Sequence, residues 1–180
     1  MKLTKTRSAL GVCSVVTVIG IMYAQFGSEI RISPEAAKII GNAEACMRDP
    51  YICPAGVLTV GVGSTAAGGE RIDPKHRYTD IEIAERWKND IKQAENCVDR
   101  FANGRALPQS VFDATVSITF NAGCGALKNS TMFKYLRAGK YEQACNELPK
   151  WVYGGGRKLQ GLVTRRDKER ALCLTDLTSH

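Results

Sequence analysis

The sequence predicts an α+β fold, with a small β-containing part around residues 50–69, helices after it and an uncharged segment before it. Three observations carry that prediction. Ser8 to Ser28 contains no charged residue. Asp49-Pro50 to Gly69 is rich in Gly, Pro, Ser and Thr with short β-like runs. From residue 80 onward apolar residues recur at helical spacing. A chain of 180 residues buries one substantial core, which excludes several independent domains.

The elements follow in order. Lys2, Lys5 and Arg7 precede the 21 uncharged residues Ser8 to Ser28, a stretch long enough to span a bilayer with its N-terminus in the cytoplasm. Nearly half of that stretch is small or polar, so the span is expected to be marginal. Met22-Tyr-Ala-Gln-Phe-Gly-Ser28 lacks the small-residue pattern a signal peptidase requires, so the segment is expected to stay on the chain. Ser33-Pro34-Glu35 starts a helix, with Ser as N-cap, Pro at the first position and a carboxylate in the first turn. That helix is expected to run to about Cys46 and to carry Glu44 at its far end. Asp49-Pro50 reads as a turn, and Val57-Leu-Thr-Val-Gly-Val-Gly63 alternates as a short strand.

Thr79-Asp-Ile-Glu82 is a capping box. Behind it Ala84, Trp87, Ile91, Ala94, Val98 and Phe101 form one apolar stripe along a long helix. Leu107-Pro108 opens a further helix reaching Phe120, and Ser130 to Gly139, Tyr141 to Lys150 and Val163 to Leu174 read as more. Gly154-Gly-Gly156 is expected to be a flexible loop, and Arg165 and Arg166 to be solvated charge on the last helix.

The net charge of +7 includes a concentration at Arg157, Lys158, Arg165, Arg166, Lys168 and Arg170. No helix-turn-helix, zinc-knuckle or RNP-type pattern accompanies it, so the sequence indicates no nucleic-acid partner. An anionic wall polymer or a membrane surface fits the charge. The seven cysteines contain no Cys-x-x-Cys pair, and His76 and His180 stand far from paired thiols. No metal and no other cofactor is therefore implied. Disulfides in an oxidising compartment are the expectation, and an odd count leaves one thiol free.

The chemistry gathers in Glu44 to Gly63. Glu44 is followed after nine residues by Cys53 and after six more by Thr59, which sits in the Thr-x-Gly-x-Gly strand. This order resembles phage-type lysozymes, the glycoside hydrolase family 24 muramidases. The resemblance runs from about Pro34 to Leu174, taking in Phe120-Asn-Ala-Gly123, Trp151-Val-Tyr-Gly-Gly-Gly156, Gly161-Leu162 and Arg165-Arg166. It implies a two-lobed fold, with a small lobe over about 29–78, a linking helix over about 80–101 and a helical lobe over about 102–180, preceded by a segment over 1–28. The implied activity is hydrolysis of the β-1,4 bond between N-acetylmuramic acid and N-acetylglucosamine in peptidoglycan, with inversion, by a monomer.

Such hydrolysis needs a proton for the leaving oxygen and a base or stabilising group on the opposite face of the sugar. Glu44 suits the acid, its pKa raised by an apolar helix end. Cys53 stands where many family members carry Asp, and Asp49 is the rival carboxylate. Thr59 has a hydroxyl able to orient a water. A silent wall-binding protein and a lytic transglycosylase, which needs only Glu44, are the alternatives.

Cys46 and Cys53 flank the expected turn at Asp49-Pro50, which would let them pair and so disable Cys53. Cys13 lies in the expected span, where low dielectric suppresses the thiolate. Outside the bilayer it can attack Cys46 and expel Cys53. Cys13, Cys46 and Cys53 in this arrangement resemble disulfide-caged signal-anchor-release endolysins, held at the host inner membrane and later freed into the periplasm. Cys97, Cys124, Cys145 and Cys173 allow three connectivities. The family's neighbouring helices favour Cys97 with Cys124 and Cys145 with Cys173.

Overall fold

The structure, a computed structural model, describes residues 11–177. The basic flank Lys2, Lys5 and Arg7, the beginning of the uncharged stretch and His180 lie outside the described residues. Ser14 caps α1 (Val15–Phe26), its hydroxyl accepting from the Thr17 N–H. This helix carries Val18, Ile19 and Met22 into the core. Its 12 residues extend about 18 Å at ~1.5 Å each. Among the described residues no helix is long and apolar enough to cross a membrane.

Ser33 caps α2 (Pro34–Asn42) as its sequence predicts, accepting from the Ala36 N–H at 3.2 Å. The helix stops earlier than the predicted Cys46, because residues 46–52 are drawn into a sheet, and Glu44 stands two residues beyond the helix end. Strands β1 (Cys46–Ile52), β2 (Leu58–Val62) and β3 (Ser64–Thr65) form an antiparallel sheet in that order. Asp49-Pro50 is therefore inside a strand and not at a turn. The register shifts between Met47 and Tyr51, and a proline is tolerated at such an irregularity in an edge strand. The reversal comes at Cys53–Val57, where Gly56 takes φ +79° and its N–H donates to the Cys53 carbonyl at 2.8 Å.

The long helix α3 (Asp80–Ala102) begins with the full capping box of Thr79 and Glu82 and ends at Asn103 in the left-handed region. Its apolar stripe buries Trp87, Ile91 and Val98, and α1 and α4 (Gln109–Ala122) pack on it. The remaining helices are α5 (Cys124–Leu127), α6 (Thr131–Arg137), α7 (Tyr141–Cys145) and α8 (Gln160–Leu174). The predicted helix from Tyr141 to Lys150 breaks after Cys145, and Pro149 sits in a separate 3-10 turn, Leu148–Lys150. Gly154-Gly-Gly156 closes a small hairpin of β4 (Tyr153–Gly154) and β5 (Arg157–Lys158), with Gly155 and Gly156 at positive φ. Disulfides join Cys97 to Cys124, Cys145 to Cys173 and Cys13 to Cys46.

The segment between α1 and α2 is tied to α3 by charge. Glu95 accepts from the N–H groups of Arg31 and Ile32 at 2.7 and 2.8 Å, and Glu29 pairs with Lys88 and Lys92, each at 3.1 Å. These contacts set the position of α2, and so of Glu44.

Candidate active site

Glu44 leaves the end of α2 and lays its carboxyl over Gly63. A Cβ on Gly63 would lie 3.1 Å from Glu44 Oε2, and the backbone there has φ +75°, so both space and conformation call for glycine. The other side is Arg165, whose Nη1 is 3.4 Å from Glu44 Oε1. Burial pushes the Glu44 carboxyl above the usual carboxylate range, and the Arg165 charge opposes that only in part.

Arg165 is held from behind. It donates to the Ser117 carbonyl at 3.2 Å and to Glu169 at 3.1 Å, and Glu169 also accepts the Ser117 hydroxyl at 2.6 Å. Arg166 lies 3.0 Å from Glu169 and donates to Asn121 at 2.8 Å. Arg165 is 4% exposed and both Arg166 and Glu169 are 0% exposed, so the expectation that these arginines are solvated is wrong. Glu169 pairs with both, and Glu44 sets a second carboxyl against Arg165, since buried charges need partners. Desolvation pulls Arg166 down to about 10. The i+3 and i+4 spacing from Arg166 and Arg165 to Glu169 was a readable sign of this cluster.

Cys53 follows β1 and opens the hairpin turn, its N–H donating to the Val57 carbonyl at 3.0 Å. It is partly exposed and is the one free cysteine among the described residues. Hydrogen bonding from the Val57 backbone, then the Thr59 hydroxyl, then the Ala55 backbone holds its thiol below the usual range. Thr59 is buried in β2 opposite Tyr51, and its hydroxyl also reaches the Val57 carbonyl at 3.0 Å.

Two cavities adjoin at Glu44; neither is lined by Cys53 or Thr59, although Pro54, next to Cys53, bounds one of them. One of about 830 Å³ is bounded by Glu44, Pro54, Asn121, Leu162 and Arg165. The other, about 470 Å³, runs past Gly63 to Asp90, Arg100, Phe101 and Phe120. They adjoin where Gly63 touches Glu44 and where Phe120 is followed by Asn121. The Phe120-Asn-Ala-Gly123 motif thus lies along both. Asp90, which sequence reading passed over, takes the Ser64 hydroxyl, and burial raises it to about 6.

Asp49 is not brought to this place. Its carboxylate is 3.6 Å from Arg77 and faces Gly11, away from Glu44. Cys46 opens β1 opposite Val62, and Cys53 follows the strand's other end. Cys46 and Ile52 pair with Val62 and Leu58, four positions apart on β2, so at ~3.3 Å per residue the strand spans roughly 13 Å, beyond the ~7 Å Cα separation a disulfide tolerates. With β1 formed, Cys46 bonds Cys13, the Cα atoms 5.1 Å apart.

Comparison with known proteins places the chain among phage endolysins in sequence and fold. The SAR-endolysin of Escherichia phage P1 is 36% identical over 97% of this chain and 99% of its own. The crystal structure of the active form of the P1 phage endolysin Lyz superposes with a TM-score of 0.85, at 36% identity, covering 94% of this chain and 99% of that one. The secreted inactive form of Lyz, 38% identical, gives 0.59 over 83% of this chain and 100% of that one. The overall fold thus superposes more closely on the active than on the secreted inactive form of Lyz. Residues 41–169, from the end of α2 through the Arg165–Glu169 cluster, match the phage lysozyme family, and it is to this family that the chain belongs.

Proposed function

We propose that this protein is an endolysin, a muramidase that hydrolyses the β-1,4 bond between N-acetylmuramic acid and N-acetylglucosamine in peptidoglycan and so lyses the host cell. The observation that carries the reading is the partly desolvated Glu44, poised on Arg165 where two cavities meet, beside the hairpin that holds Cys53 and Thr59.

Glu44 gives its proton to the leaving glycosidic oxygen, and burial keeps that proton available toward neutral pH. Arg165 then stabilises the carboxylate left behind. Cys53 acts as thiolate on the opposite face, taking a proton from water as the water attacks the anomeric carbon. The Thr59 hydroxyl orients that water or the thiolate. The test is the product: new N-acetylmuramic acid reducing ends from purified walls, lost in Glu44→Gln. Anhydro ends in place of reducing ends would overturn hydrolysis.

The same reading covers regulation. Residues 8–28 hold the chain at the inner membrane, with the domain in the periplasm and a Cys46–Cys53 bond in place. On release, α1 docks, the Cys13 thiolate attacks Cys46 Sγ, the Cys46–Cys53 bond breaks and Cys53 leaves as thiolate, with no external oxidant. The released enzyme acts as a monomer with a small lobe over 29–78, a linking helix over 80–101 and a helical lobe over 102–180. Non-reducing disulfide mapping of the membrane-bound and soluble forms tests this: Cys46–Cys53 is expected in the first and Cys13–Cys46 in the second. An active soluble enzyme with Cys46 and Cys53 still bridged would overturn both the switch and the role of Cys53.

A further inference from the structure

Behind Arg165 lies a buried charge cluster whose innermost members, Arg166 and Glu169, take no part in the steps given above. Glu169 Oε1 takes Arg165 Nε at 3.1 Å and the Ser117 hydroxyl at 2.6 Å, while Glu169 Oε2 stands 3.0 Å from Arg166 Nε. That last pair lacks hydrogen-bond geometry: Arg166 Nε, Arg166 Nη1 and Glu169 Oε2 make no hydrogen bond. What the contact offers is attraction between charges. A desolvated cluster of this kind is a poor way to stabilise a lobe, since well-packed apolar side chains of the same volume do as well or better. Its effect reaches outward instead. Arg165 holds Glu169 through Nε and turns Nη1 to Glu44 Oε1 at 3.4 Å, so one guanidinium joins the buried carboxylate to the one at the reaction centre.

We propose that Glu169 is a positioning residue that, together with Arg166, fixes the charge Arg165 presents to Glu44 and so holds Glu44 in its acid form until the glycosidic oxygen takes the proton. The proposal rests on the muramidase reading. Two guanidinium groups stand against Glu169, which leaves one positive charge facing Glu44. Without Glu169 two would be left, and Glu44 would be held as a carboxylate with no proton to give. Without Arg166 none would be left, and the carboxylate formed on proton transfer would lose its stabilisation. Burial pushes the Glu169 carboxyl up, and Arg166, Arg165 and the Ser117 hydroxyl oppose that. A neutral Glu169 would strand two buried guanidinium groups, so the charge stays on it. The elements packed on α8 add no competing charge. α4 brings Ser117 and Asn121 to the cluster, and its Asp113 is tied to Ser33 and Gln109. Glu147 and Lys150 pair with each other, Asp176 takes the Ser110 N–H, and Glu142, Glu35 and Lys38 are exposed, as are Asp167, Lys168 and Arg170 on α8 itself.

The experiment follows the acid limb of the pH–kcat profile for new reducing ends, and the Glu44 titration by carboxyl 13C NMR, in the soluble wild type, E169Q, R166Q and E169Q/R166Q. E169Q should move the Glu44 titration and the acid limb down by about one pH unit and lower the kcat plateau about tenfold, with KM nearly unchanged. R166Q should move both up. The double variant leaves Arg165 as the single charge, the same sum as in the wild type, and should return both toward it. A structural prop has no reason to obey that order. A fall in kcat with the limb and the Glu44 titration unmoved in E169Q and R166Q, or a double variant no nearer the wild type than E169Q, would overturn the proposal. Where E169Q does not fold, an unmoved Glu44 titration in R166Q overturns it alone. The NMR titration reads Glu44 whether or not walls are cut. Shifts in the expected order from an enzyme that releases no reducing ends would support the setting of Glu44 by Glu169 and overturn the muramidase reading instead.

Discussion

At the scale of single residues, the site's two titrating groups are displaced toward each other. Glu44 is raised by burial and Cys53 is lowered by hydrogen bonds. Glu44 ordinarily titrates well below a thiol, so the productive pair, carboxylic acid with thiolate, is a minority form at every pH. Each unit by which the gap closes raises that fraction about tenfold. Activity should form a plateau that falls on the acid side as Cys53 regains its proton below the Glu44 pKa. On the alkaline side it falls above the Cys53 pKa, where Glu44 has long lost its own. Cys53→Asp should remain active with its alkaline limb moved down to the Glu44 pKa, because the base now titrates below the acid. Cys53→Ser should lose on the order of 100-fold or more, having no base in this range. A pH–rate profile of the three enzymes checks both outcomes, and an active Ser variant with an unchanged profile would remove Cys53 from the mechanism. Arg165→Lys keeps a charge but loses the fork that spans Glu44, Glu169 and the Ser117 carbonyl. It should lower kcat more than it raises KM, and shift the acid limb.

At the scale of elements, α1 is part of the core and not an appendage. A Cβ on Gly41 would lie 2.5 Å from Val15 and 3.1 Å from Trp87, so the start of α1 packs over a bare glycine of α2. Gly41→Val should keep α1 from docking, which limited proteolysis of residues 11–26 would detect, and should destabilise the fold by about 1–3 kcal/mol. Unchanged protection would show that the Val15–Gly41 contact does not hold α1 in place. The bond between Cys97 and Cys124 closes a separation of 27 residues between α3 and α5, and both cysteines line the cavity that Phe120 shares. Replacing both with Ser should cost about 3.5 kcal/mol by loss of the unfolded-state constraint. Urea unfolding measures this directly.

At the scale of the whole molecule, the +7 charge acts over distances set by salt. Only part of the C-terminal basic concentration contributes, because Arg165 and Arg166 are buried against Glu169 while Lys168 and Arg170 face solvent. Attraction to an anionic wall should weaken as ionic strength rises from ~0.1 to ~1 M and the Debye length falls from ~10 to ~3 Å. Wall lysis should slow several-fold over that range through KM, with kcat nearly constant. A fall in kcat of the same size would place the effect at the Glu44–Arg165 contact instead.

What the sequence by itself determined was local. The Ser33 cap, the Thr79–Glu82 box and the α3 stripe are interactions between residues three or four apart, so the pattern contains their cause. The order of Glu44, Cys53 and Thr59 was legible in the same way, as an ordered motif along one short stretch. What only the tertiary structure decided was burial and partnership across long separations. Arg165 stands 121 residues from Glu44 in the chain, and nothing local marks it as buried beside an acid. Pro50 looked like a turn because a proline usually interrupts a strand, yet an edge position with a shifted register accommodates it. That one difference turns Asp49 toward Arg77, sets Cys46 and Cys53 at opposite ends of β1 and leaves Cys13 as the partner within reach of Cys46. The uncharged segment reads as a membrane span by composition alone. Its place as α1 over α2 and α3 depends on an apolar surface that only the folded domain presents.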